Sequence, residues 1–109
     1  MKKMSDDNYM TPLSLVIPQL REKGYVNDFD LIEGGMLSRQ TKEIFQSFEL
    51  IIERVYRFEG DSNPDDMAVL YGILADSGTK GIVIDAYGTY ENDKLGDFLR
   101  YVRVNEIVD

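Results

Sequence analysis

Neither cysteine nor histidine occurs anywhere in the 109 residues. Their absence excludes a Ser-His-Asp or Cys-His nucleophile system and leaves no imidazole to act as a base near neutral pH. It also removes the usual thiolate and imidazole ligands of a structural zinc site, so no metal ligand and no cofactor is assigned. Any catalysis would fall to Asp, Glu, Tyr, Lys or Arg, with a hard cation such as magnesium. A chain without thiols suits a reducing compartment, and the cytoplasm is the expected location. No apolar run approaches the ~18 residues that span a bilayer. The two lysines at the start, Lys2 and Lys3, lead into Ser5-Asp6-Asp7-Asn8 rather than an apolar core, so no signal peptide is read there. No stretch concentrates Lys and Arg as a nucleic-acid footprint does.

What is present is acidic and globular. Twenty carboxylates face 12 basic side chains, for a formal charge of −8. That charge repels phosphate backbones and anionic membrane surfaces, so neither is an expected partner, and it keeps a small protein soluble. Apolar residues make up 43%, with seven Tyr and five Phe as bulky core material. The length fits one domain, able to fold without disulfide or metal. Residues 1–10 read as a polar, frayed tail, and residues 11–109 as a single domain.

The densest apolar segment runs from Glu49 to Tyr90 and reads as three strands, 49–59, 67–76 and 81–90, joined by turns rich in Asn, Asp, Pro and Gly. Upstream, Thr11-Pro12 signals a helix start and Gly24 its end, with Leu13, Val16, Ile17 and Leu20 on one face. Pro18 interrupts that helix and predicts a kink. Phe29–Glu33 reads as a short strand continuing through a bend at Gly34-Gly35 toward Leu37. Residues 38–48 read as a connection that pins Ile44, Phe45 and Phe48 under the sheet. A last helix starts at Asn92 or Asp93, with Leu95, Phe98, Leu99 and Val102 on one face; residues 102–108 read alternatively as a strand. The fold expected is α+β, in the order α-β-β-β-β-α. An antiparallel sheet of about four strands carries the N-terminal and C-terminal helices on one face.

Apolar matching suggests a register in which Phe58 faces Met67, Ile52 faces Ile73, and Ile73 faces Ile84. Leu50, Ile52, Tyr56 and Phe58 then share the helix-covered face, with Arg54 the exception among them, its stem buried. On the reverse face Glu53, Gly72 and Asp85 form one row, with Tyr87 and Arg57 one and two rows away. The functional reading of these five residues is a shallow site for a cation or polar ligand, Arg57 meeting an anionic group. The structural reading is a mixed apolar and charged face covered by a second copy, which makes the chain a homodimer. Asp61-Ser62-Asn63-Pro64-Asp65 imitates the start of a calcium loop, but Asp66 and Gly72 stand where the required glycine and glutamate belong, so it reads as a turn.

Tyr56-Arg57-Phe58-Glu59-Gly60, Asn63-Pro64-Asp65-Asp66 and Lys80-Gly81-Ile82-Val83-Ile84-Asp85-Ala86-Tyr87-Gly88 follow Gly24-Tyr25 and Asp28-Phe29 upstream. Together they resemble a family of small uncharacterised bacterial proteins, some labelled phosphoribosylpyrophosphate synthetase. The resemblance covers most of residues 11–90 and implies no established activity. True synthetases of that name end the phosphoribosyl strand in two acids and a glycine-rich phosphate cradle. Here Ala86 replaces the second acid, and Tyr87-Gly88-Thr89-Tyr90 lacks the glycine pair. The expected function is a non-catalytic binding or interaction module, self-associating or meeting a small molecule or protein. The alternative is a minor enzyme of phosphate or nucleotide metabolism using Asp, Glu and a divalent cation.

Overall fold

A computed structural model describes residues 11–58, 68–86 and 93–107. Helix α1 (Thr11–Glu22) leads into β1 (Asn27–Ile32), β2 (Gly35–Ser38) and β3 (Ile44–Phe45). A 3₁₀ turn (Ser47–Glu49) opens β4 (Leu50–Phe58), followed by β5 (Ala68–Ala75), β6 (Lys80–Ala86), α2 (Asp93–Arg100) and β7 (Arg103–Val104). The fold is α+β, and the sheet has seven strands in the order β3-β2-β1-β6-β5-β4-β7. It is mixed rather than purely antiparallel, because β1 runs parallel to β6 and β7 parallel to β4. Among the described residues no helix is long and apolar enough to cross a membrane. The expected tail 1–10, the turn and calcium-like loop at 59–67, and the extension of the third central strand through 87–90 lie outside the described residues.

Helix α1 ends as its sequence dictates. Gly24 takes a positive φ of 103°, and the Tyr25 N–H reaches back to the Leu20 carbonyl at 3.0 Å. This six-to-one closure, with Tyr25 and Leu20 both buried beside each other, is a Schellman ending. The continuation expected through Gly34-Gly35 is instead a hairpin: Ile32 pairs with Gly35, and Glu33-Gly34 form the turn. Gly35, at φ 138°, lies so close to the Phe45 carbonyl that a Cβ would sit 2.6 Å from it. Of the apolar groups expected under the sheet, Phe45 is buried, but Ile44 and Phe48 are exposed.

The register departs from expectation at two places. In β4, Leu50 to Ile52 pair as expected, with Ile52 opposite Ile73; then Glu53 is extra, and Arg54 faces Gly72. The bulge rotates the rest of the strand by one position, so Tyr56 faces Leu70 rather than Val69. Leu50 and Ile52 therefore lie on one face, and Arg54 and Tyr56 on the other. Between β5 and β6 the turn closes early, at Leu74 opposite Lys80, which sets Ile73 against Gly81 and Ile84 against Leu70. Ile84 consequently lies on the face opposite to Ile52 and Ile73, because adjacent side chains alternate.

Both faces are covered, one by each helix, rather than one face by both. Leu95, Leu99 and Val102 join Phe29, Met36, Phe45, Ile52, Ile73 and Val83 in the larger core. Leu20 and Tyr25 pack with Leu70 and Ile82 on the other side, with Val16 and Ile17 beside them. A strand with apolar side chains on both sides, such as β5, demands two covers. Each helix end supplies one.

Candidate functional site

Of the five residues singled out in the sequence, the four that are described divide between the two faces of the sheet. Glu53 and Gly72 lie on the α1 face, whereas Asp85 and Arg57 both flank Val69 on the α2 face. Asp85 is buried and Arg57 exposed. Tyr87 lies outside the described residues. The two carboxylates are thus separated by the thickness of the sheet, and no cation can bridge them. Among the described residues no group of three or more acidic side chains could hold a metal ion.

Glu53 and Gly72 do meet, around a residue outside those five. Tyr25, thrown onto the sheet by the Schellman ending, lies over Gly72, whose missing side chain makes the room. A Cβ there would stand 3.0 Å from Arg54 and 3.3 Å from the Tyr25 ring. The Tyr25 hydroxyl donates to Glu53 Oε1 at 2.6 Å. The β4 bulge is what permits this, by placing Glu53 and Arg54 on the same face. Lys80 Nζ sits 4.2 Å above the Tyr25 ring and donates to the Lys23 carbonyl at 2.9 Å, satisfying a terminal helix acceptor. Burial first, and then the Glu53 carboxylate, push the Tyr25 phenol above its ordinary 10.0, against the opposing pull of Arg54. This cluster anchors α1; a fully buried phenol offers no surface to a substrate.

A second polar group clamps α1 to the other half of the sheet. Arg21 donates to the Tyr25 carbonyl at 3.0 Å and to Asp28 Oδ1 at 2.8 Å. Gln40 donates to Asp28 Oδ2 at 2.9 Å. Burial alone would raise the Asp28 carboxyl, but the hydrogen bonds from Arg21 and Gln40 outweigh it and hold it below its usual value. Arg39 grips Asp30 through both Nε and Nη2. Beyond the last β1–β6 pair the two strands line a cavity of about 500 Å³, with Phe29, Leu31, Val83 and Leu95 as its apolar wall and Asp28, Asp30 and Arg39 at its rim.

Among the described residues, several large apolar side chains are exposed at and near the β7 edge. Phe48 and Tyr101 are each 77% exposed, Val104 58% and Ile107 41%. Arg103 runs parallel beside Ile51, and Phe48 and Tyr101 lie in the turns that lead into these two strands, the 3₁₀ turn before β4 and the turn that closes α2 before β7. Asn105 and Ile107 donate their N–H groups to the carbonyls of Ile52 and Glu53, at 2.9 and 2.8 Å, and extend the edge past Val104. Of residues 102–108, for which helix and strand are the two expectations, Arg103–Val104 is strand. Compared with known proteins, the chain matches no family model, no curated protein and no solved structure.

Proposed function

We propose that this protein is a non-catalytic interaction module of the cytoplasm that associates with a second copy of itself. The observation that carries this reading is the exposure of Val104 and Ile107 at the β7 border, together with Phe48 and Tyr101 in the turns that lead into the adjacent strands β4 and β7. Single exposed apolar side chains are ordinary, but two largely exposed aromatics in neighbouring turns and two aliphatics on an open sheet edge suit a protein contact. The surface differs from the mixed sheet face that the sequence suggested, because α1 and α2 cover the two faces. The alternative, an enzyme of phosphate or nucleotide metabolism using a divalent cation, gains no support from Glu53 and Asp85 on opposite sides of the sheet.

Light scattering behind size-exclusion chromatography tests the proposal. The expected mass at high micromolar concentration is twice the 12.5 kDa of the chain. A monomer mass under those conditions removes the self-association. A thermal-shift screen with nucleotides, sugar phosphates and magnesium is expected to give no stabilisation; a shift abolished by Glu53→Gln would restore the enzyme reading.

A further inference from the structure

We infer that the copies join edge to edge, β7 against β7 in antiparallel sense, with Val104 on the two-fold axis. The inference rests on the self-association proposed above and names its surface and register. The N–H groups of Asn105 and Ile107 point into the sheet toward Ile52 and Glu53. Strand backbone alternates, so the N–H and C=O groups of Val104 and Glu106 point outward. A strand edge of this kind is a template for another strand. Because a two-fold contact is self-complementary, the outward groups of one copy must oppose the outward groups of the other.

Few registers satisfy that condition, and charge separates them. Centring the pair on Arg103 sets two guanidinium groups face to face, and centring it on Glu106 sets two carboxylates face to face; both are disfavoured in a cross-strand pair. Centring on Asn105 puts Val104 against the Glu106 carboxylate and Arg103 against Ile107, matching charge with hydrocarbon. Centring on Val104 gives two reciprocal N–H···O=C bonds, sets Val104 against Val104, and lets Arg103 hydrogen-bond to Asn105. This register buries Val104 against its own copy without opposing like charges.

The cysteine-free chain allows a direct test. Directly opposed strand residues lie at about 5.5 Å between Cα atoms when hydrogen-bonded, within disulfide reach. Under mild oxidation Val104→Cys is expected to cross-link most of the protein as a dimer, while Val26→Cys, at a residue 54% exposed elsewhere, stays uncross-linked. Val104→Pro removes an outward donor without touching a bond to β4, an edge position where proline is tolerated. It is expected to keep the circular dichroism spectrum and weaken the dimer at least about tenfold. A wild-type monomer would end both the inference and the reading beneath it. A wild-type dimer that survives Val104→Pro with unchanged affinity, or Val104→Cys cross-linking no better than Val26→Cys, would overturn the β7 contact alone.

Discussion

Tyr25 carries more of the structure than any residue that charge patterning selects. Its hydroxyl meets the Glu53 carboxylate and its ring fills the space over Gly72. Hydrogen bonds to charged groups contribute about 1.5–3 kcal/mol, so Tyr25→Phe should lower the urea-unfolding free energy by that order. The same variant has a pH signature. The folded-state pKa is raised above 10.0, so the folded protein keeps a proton that the unfolded chain releases above that pH. Stability from this group is complete below pH 10.0 and falls as pH rises further. Wild-type protein should therefore lose stability on the alkaline side more steeply than Tyr25→Phe, and equal slopes would refute the assignment. In the sequence Tyr25 is visible only as the residue after a helix-ending glycine. Nothing local tells that Gly72, more than forty positions away, leaves space for its ring.

At the scale of elements, the parts written in short-range chemistry were legible. Proline at the start and Gly24 at the end bound α1, and alternation marks the cores of β4 and β5. The bulge leaves a trace in the sequence. Arg54 stood as the exception in an otherwise apolar alternation because the strand changes face between Ile52 and Arg54. Gly81 is the first residue of the expected strand 81–90, and the expected pairing of Ile73 with Ile84 displaces β6 along β5 from the observed pairing of Ile73 with Gly81. Its place is inside β6, opposite Asn27, where a side chain would run into the Asn27 carbonyl and the Phe29 ring. Gly81→Ala should thus cost about 1–3 kcal/mol by forcing backbone apart, at the upper end of overpacking effects. Gly78→Ala is the informative control: it faces open space, and its penalty comes from φ 97° alone. Similar thermal unfolding of the Gly81→Ala protein and wild type would show that β1 does not approach β6 this closely.

At the scale of the molecule, local patterns could not reveal how the strands are ordered. The parallel contacts join Asn27 to Gly81 and Ile51 to Arg103, and such pairings between remote segments leave no periodic mark. They make the sheet seven strands wide and mixed, and they send the two helices to opposite faces. The border opposite β7 has its own protection, since β3 is only two residues long by ladder pairing. Short edges limit open-ended growth.

The join between β1 and β6 is two residue pairs long, Asn27 with Gly81 and Asp28 with Ile82, whereas β5 and β6 share seven. Among the described residues, all backbone hydrogen bonding between the β1–β3 ladder and the β4–β7 ladder crosses that narrow seam. Sub-global opening follows the fewest cooperative bonds, so the hairpin β1–β2 should part from β6 while β5–β6 stays shut. In deuterated buffer the Ile82 amide should then exchange well before that of Ile73, which lies among the most buried residues of the sheet. Equal protection at the two amides would mean that the molecule opens only as a whole.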